Sequence, residues 1–268
     1  MKLSMDELVR LAIEEEDEDA LAGYLELIHA HVPGEVFGKA SGLCKSADAG
    51  ERRIGAAILG SGGDGFVPFG YKALQIVTAM LKGETDPAVL KAVIISAADL
   101  QDEDEVLNLD TLLEYTRSAQ PEIRQGAVKA MWELDDPRAV SRLLELTRDE
   151  DFRVRDWATF GIGYRPELDS PEIREALLER LDDDDEVTSC EALLGLAARK
   201  DARVYDIILD TIKDGEPGTI IFEAAEELGD KRLLEPLRKL LADSREDPDE
   251  EWLSWLKNAI EVLEKEGE

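Results

Sequence analysis

Three segments of the chain open alike, and their spacing constrains the fold more than any other feature. They are Asp136-Pro137-Arg138-Ala139-Val140, Asp201-Ala202-Arg203-Val204-Tyr205 and Asp230-Lys231-Arg232-Leu233-Leu234. Each sets an Asp as a helix N-cap ahead of an apolar pair that faces inward. The starts lie 65 and 29 residues apart, about two repeats and one. A second series falls between them. Pro121-Glu122-Ile123-Arg124-Gln125-Gly126-Ala127 matches Phe152-Arg153-Val154-Arg155-Asp156-Trp157-Ala158 when the two arginines Arg124 and Arg155 are superposed, and Glu186 to Ala192 fits the same frame with Ser189 at the arginine position. Ala127, Ala158 and Ala192 are then 31 and 34 residues apart, followed in frame by Ala130, Gly161 and Gly195. Small residues three apart on one helix face allow another helix to approach closely. A period near 30 belongs to a two-helix unit, which cannot bury its apolar face alone and must stack on its neighbours.

Composition points the same way. Apolar residues make up 44% of the 268, enough for a continuous core, and aromatics only 6%. Leu, Ala, Glu and Asp dominate, and β-branched runs of strand length are nearly absent, so the chain reads as all-α. The helix-pair units read as 4–31, 34–60, 69–100, 104–134, 136–165, 170–199, 201–228 and 230–266. Ser4-Met5-Asp6-Glu7 opens the first helix as a capping box.

The Asp-Pro-Arg-Ala-Val start with Leu143-Leu144, and the stretch Val154-Arg155-Asp156-Trp157-Ala158-Thr159-Phe160-Gly161, resemble HEAT repeats, in particular the short HEAT-like repeats named after the phycobilisome lyases. The second stretch looks like the second helix of bacterial HEAT repeat domain-containing proteins. Pro236 suits a HEAT first helix, where a proline can kink the chain. The resemblance is good over 100–268, plausible over 34–99 and says little about 1–33. It implies a right-handed α-solenoid (superhelix) of about seven to eight HEAT-like antiparallel helix pairs. One solenoid would span 1–268, with 1–33 an N-terminal capping pair, 34–229 the repeats and 230–268 a C-terminal capping repeat. The fold hosts unrelated tasks, so function must be argued from a site.

Charge narrows the partners. There are 62 acidic against 31 basic residues, a net of −31. Nucleic acids and anionic membrane surfaces are disfavoured, because both are bound through Lys and Arg. A basic protein partner is favoured, since the summed field would steer it in. The competing reading is that the carboxylates only keep a monomer soluble. The start of the chain turns acidic at once and does not read as a signal peptide. No apolar run approaches a membrane span, so a cytoplasmic, reducing location is expected.

Parts for catalysis are scarce. Cys44 and Cys190 make no disulfide framework and have no metal-spaced neighbours. His29 and His31, two apart on a helix, point about 200° apart and cannot share a metal. The HEAT-like deoxyhypusine hydroxylases bind iron through His-Glu dipeptides, which this chain lacks. Gly60 to Gly65 satisfies G-x-G-x-x-G, but a helix rather than a strand precedes it, so it reads as a loop. Ser254-Trp255-Leu256-Lys257 has no S-D-N or K-T-G companion, and Trp252, Trp255, Leu256 and Ala259 read as core or cap of the last helix. The carboxylate clusters 14–19, 102–105, 149–151, 182–186 and 246–251 lack the Ca²⁺-loop pattern and sit at turns entering helices, where they cap and oppose the dipole. Capping leaves their excess unexplained. No catalytic residue, metal or cofactor is expected, and the chain reads as a non-enzyme.

The remaining candidates gather on the helix around Trp157. Val154, Ala158, Gly161 and Ile162 form its inward stripe, which leaves Asp156, Trp157, Phe160 and Tyr164 beside or off it. Large aromatics outside a stripe mark binding surfaces, unless Trp157 fills the junction to the next unit. The expected partner-binding set is Arg124, Arg155, Asp156, Trp157, Phe160, Tyr164 and Glu191, on a concave acidic surface of second helices. Two other functions stay open: an immunity or inhibitor protein that neutralises a basic toxin or nuclease, and a bilin-lyase-like chromophore-handling enzyme implied only by the repeat's name. The alkylpurine DNA glycosylases, also HEAT-like, use Trp and Asp in a basic groove that this chain lacks.

Overall fold

The computed structural model describes residues 3–62, 67–100, 107–132, 134–215, 217–244 and 249–265. Residues 63–65 of the glycine-rich loop, the acidic cluster 102–105 and positions 246–248 of the last cluster lie outside the described residues. All regular structure among the described residues is helical.

The chain forms two compact units, Met1–Asp135 and Asp136–Glu268. The first holds the pairs α1 (Met5–Glu14) with α2 (Glu18–His29), α3 (Pro33–Leu43) with α4 (Ala49–Gly60), α5 (Gly70–Leu81) with α6 (Pro87–Leu100), and α7 (Leu109–Tyr115) with α8 (Pro121–Met131). The second holds α9 (Pro137–Leu146) with α10 (Phe152–Gly163), α11 (Pro171–Arg180) with α12 (Glu186–Ala198), α13 (Tyr205–Asp214) with α14 (Thr219–Leu228), and α15 (Leu234–Asp243) with α16 (Glu250–Lys265). The fold is an all-α solenoid of helix pairs, as the period predicts.

Local chemistry explains where the helices begin. Ser4 and Glu7 make the reciprocal capping box, with Glu7 N–H donating to Ser4 Oγ and Ser4 N–H to Glu7 Oε2. The Asp-x-Arg starts share one arrangement. Asp136, Asp201 and Asp230 accept from the backbone N–H of Arg138, Arg203 and Arg232, and each arginine side chain folds back onto the same carboxylate. Asp151 and Arg153 repeat it at the start of α10. Before α13 and α15 the chain first makes a 3₁₀ turn, at Ala202–Val204 and Lys231–Leu233. Pro236 therefore stands in the first turn of α15, where no helical N–H is lost, and needs no kink. Gly229 ends α14 in the left-handed region at φ +66°, the conformation that favours glycine at a helix C-terminus.

The second helices form the tightly packed layer of each unit: α4, α6 and α8 in the first, α10, α12, α14 and α16 in the second. First helices touch one another far less, so each stack is closer along its second helices. Small residues permit the approach. A Cβ on Gly195 of α12 would lie 2.8 Å from Cα of Gly163 on α10, and one on Gly60 of α4 would lie 2.8 Å from Cα of Ser96 on α6. Val154, Ala158 and Ile162 are fully buried as the stripe predicts.

Two kinds of arginine tie the pairs together. Arg52 donates to the carbonyls of Ser46 and Ala47 in its own interhelix turn and, at 2.7 and 3.0 Å, to both carboxylate oxygens of Glu84 in the next pair. Arg155 repeats the arrangement with the Asp149 carbonyl and, at 2.9 and 2.8 Å, with Asp183. Arg199, at the end of α12, is buried and donates to the carbonyls of Ile162, Gly163, Arg165, Leu168 and Gly195. It closes the C-terminal ends of α10 and α12 together, where unpaired carbonyls and helix dipoles favour a cation.

Candidate interaction surface on the second helices

The sequence-derived residues separate into two groups. Arg124, on α8 of the first unit, is 6% exposed, and its guanidinium donates to the Ser118 carbonyl. Arg155 is half-buried and clamps Asp183. Both hold their interhelix turns, and that shared duty explains why the two superpose in the repeat frame.

The other five residues lie on the second helices of the second unit. Trp157 and Phe160 on α10 and Tyr164 at its C-cap form a continuous aromatic strip. The Trp157 and Phe160 ring centroids are 5.5 Å apart, edge to face, and those of Phe160 and Tyr164 are 5.2 Å apart, stacked. Trp157 and Phe160 are half-buried, and Tyr164 is 66% exposed. The strip is therefore neither core nor fully solvated, the condition in which an aromatic presents a packed edge and an accessible face.

Beside the strip runs a ladder of carboxylates. Asp156 on α10, Glu191 on α12 and Glu223 on α14 are all half-buried. Burial, then the charge of Asp156, then that of Glu223, push the Glu191 carboxyl up to about 7. Three residues further along α14, Glu226 accepts from Asn258 Nδ2 of α16 at 2.9 Å, yet burial still raises its carboxyl above the usual range. Sequence reading found Asp156 and Glu191 but missed Glu223 and Glu226. The signal was there: Glu223 stands 32 residues after Glu191, one repeat, ahead of Ala224 as Glu191 stands ahead of Ala192.

Other candidates resolve simply. α2 ends at His29, whose Nε2 lies 3.2 Å from Ser61 Oγ, and His31 sits in the following turn with Nδ1 3.1 Å from the Leu27 carbonyl. Burial pushes the Cys44 thiol up to about 12, leaving it without thiolate character. On α16, Leu256 and Ala259 are fully buried, Trp252 is half-buried with its indole N–H donating to the Pro217 carbonyl, and Trp255 faces solvent. Among the described residues no helix is long and apolar enough to cross a membrane.

Helix pairs repeated at this period, stacked through their second helices and tied by a recurrent Asp and Arg, define a class of α-solenoid. A HEAT-repeat family model matches residues 109–163 and 146–229. Residues 109–229 of the chain thus match HEAT repeats. It is similar to protein YibA of Escherichia coli, 36% identical over 119 residues, which are 44% of this chain and 42% of YibA. The matched stretch thus spans less than half the length of that relative. The crystal structure of Escherichia coli YibA superposes with a TM-score of 0.65 at 26% identity, covering 98% of this chain and 93% of that one. Kap121p, solved bound to Pho4p and also bound to Nup53p, shares the fold with a TM-score of 0.57 at 13% identity, over 96% of this chain and 32% of its own.

Proposed function

We propose that this protein is a non-catalytic protein-interaction scaffold, and that the second-helix face of its second unit holds a basic segment of a partner protein. The observation that carries the reading is the ladder Asp156, Glu191 and Glu223. Burial, and then the charges of Asp156 and Glu223 on the neighbouring second helices, push the Glu191 carboxyl up to about 7. Gathering carboxylates in that way is unfavourable until a cation arrives. A guanidinium or ammonium group seated there would relieve the repulsion, and its flat or methylene surface would lie against the Trp157, Phe160 and Tyr164 strip. Kap121p, of the same fold, holds protein partners, which supports the general reading but not the choice of partner.

The test is titration calorimetry with an arginine-rich peptide at physiological salt. A variant carrying Asp156→Asn, Glu191→Gln and Glu223→Gln should bind at least tenfold more weakly than the parent, as should Trp157→Ala. A control set of three neutralised carboxylates on first helices should bind as the parent does. Equal loss in the control and ladder variants would reduce the interaction to bulk charge and sink the proposal.

A further inference from the structure

The first unit carries two lysines side by side on its second helices, and the chain meets both with one of its own carboxylates. Glu18, the first residue of α2, accepts from Lys91 Nζ on α6 at 2.6 Å through Oε1, from Gln125 Nε2 on α8 at 3.3 Å through the same oxygen, and from Lys129 on α8 through Oε2. These partners are 73, 107 and 111 residues away. In a solenoid each pair meets mainly its neighbours. A side chain of the first pair that grips the third and the fourth has been laid across the stack rather than added to its end. Burial opposes the charge on Glu18, but Lys91 and Lys129 outweigh it and hold the carboxyl down at about 2.

The helix that delivers this carboxylate is lightly held. Of the twelve residues of α2, only Ile28 is buried, and Leu27 is 51% exposed. Its partner α1 is anchored by Leu8, Val9 and Ala12, and by Arg53 of α4, which donates to the carbonyls of Ala12, Ile13 and Glu15 at the end of α1. The Glu18 clamp thus holds the N-terminal end of α2, while Ile28 and the His29 contact with Ser61 hold its far end. Segments with few buried apolar contacts open at small free-energy cost. The clamp also gives a use to the run Glu14 to Asp19, whose six consecutive carboxylates exceed what capping α2 requires: Asp17 alone caps it, accepting from Ala20 N–H at 2.8 Å.

We propose that Lys91, Gln125 and Lys129 form a docking site for an acidic segment of a partner protein, and that Glu18 of α2 occupies this site in cis as a displaceable strap. The two lysines on adjacent second helices, with an amide donor between them, make a cradle for one carboxylate with all its oxygens engaged. A partner's Asp or Glu in an extended or helical acidic stretch would take the place of Glu18 and lift the N-terminal end of α2, leaving Ile28 and α1 in place. This site lies wholly in the first unit and does not depend on the basic segment proposed for the second.

The experiment uses the full chain and a fluorescent acidic hexapeptide copying residues 14–19. Glu18→Gln should bind the hexapeptide at least tenfold more tightly than the parent by anisotropy, because the cis competitor is gone. Adding Lys91→Gln and Lys129→Gln to that variant should abolish the gain. Amide hydrogen exchange over residues 18–24 should quicken at least tenfold in Glu18→Gln, with α1 unchanged, which also confirms that the variant is folded. Equal affinity of the parent and Glu18→Gln, no binding to either, or binding indifferent to the two lysines would overturn the proposal. A parent that binds arginine-rich peptide normally while these outcomes fail would leave the second-unit reading standing.

Discussion

Replacing Glu191 by Gln isolates what the carboxylate ladder does to the protein. Gln has the shape of the protonated acid and cannot ionise. In the unfolded chain Glu191 titrates near its ordinary 4.5, and in the folded protein near 7. Between these values the native state holds a proton that the unfolded state has released, so stability falls as pH rises through this window. The whole penalty is present above the folded value and absent below the unfolded one. At 1.36 kcal/mol per pH unit, the span from 4.5 to about 7 corresponds to about 3 kcal/mol. Glu191→Gln should therefore match the parent near pH 4 and exceed its stability by about 3 kcal/mol at pH 8, with half of the gain reached near pH 5.5 to 6.

Urea unfolding followed by circular dichroism at a series of pH values reads this directly, because the difference between two chains cancels every other titration they share. Asp156→Asn supplies the second arm. Burial is the largest cause of the shift and Asp156 the next, so removing Asp156 should move the Glu191 midpoint down only part of the way. A stability gain for Glu191→Gln that is flat with pH would refute the reasoning, since no proton would then be held in the folded state. Saturating arginine-rich peptide should lower the midpoint and erase the advantage of Gln, linking the stability measurement to binding.

The remaining expectations concern the scaffold. Arg199→Met should destabilise the second unit by roughly 3–5 kcal/mol, because three buried carbonyls at the ends of α10 and α12 and two part-buried ones in the turn after α10 lose their donor; a thermal shift equivalent to less than 1 kcal/mol would contradict the closing role. Gly195→Ala should cost about 2 kcal/mol, since its Cβ would sit 2.8 Å from the Gly163 backbone, whereas Gly38→Ala on α3 meets open space and should stabilise by up to about 1 kcal/mol, both by chemical denaturation. Arg155→Ala should lose about 2 kcal/mol of stability yet bind arginine-rich peptide as the parent does, and Arg155→Lys should not restore the loss, because one ammonium cannot hold Asp183 through two bonds and the Asp149 carbonyl as well.

What could be read from the chain and what could not divide along physical lines. The helix-pair boundaries followed from Asp caps, apolar stripes and small residues, all local or one repeat apart, and these are the features that repeat. The Arg124 and Arg155 positions were found for the same reason, but their role was not, because a guanidinium that grips its own turn looks in sequence like one that faces a partner. Asp183, which decides the matter for Arg155, lies 28 residues on in a run of four aspartates, any of which could have served. The aromatic strip was legible because helical spacing alone puts Trp157, Phe160 and Tyr164 together. Arg199 was invisible, since nothing in its neighbourhood marks it as the closing cation of two helices at once.

The contact between Glu18 and Lys129 defeats sequence reading more deeply. Repeat logic links each pair to the next, and a carboxylate that skips to the third and fourth pairs has no periodic signature. It also changes what the net charge of −31 means. On its second helices the first unit carries Lys91 and Lys129, and the second carries Asp156, Glu191 and Glu223. The basic segment proposed as partner is thus matched to the second unit, and the average charge conceals the paired lysines of the first because Glu18 supplies their counter-charge. A partner with separate basic and acidic segments could engage both units, each contact strengthening the other through effective concentration. Such a partner would bind the Glu18→Gln chain more tightly than the parent and the Glu191→Gln chain less tightly, opposite effects from two removals of one negative charge that no bulk electrostatic account can produce.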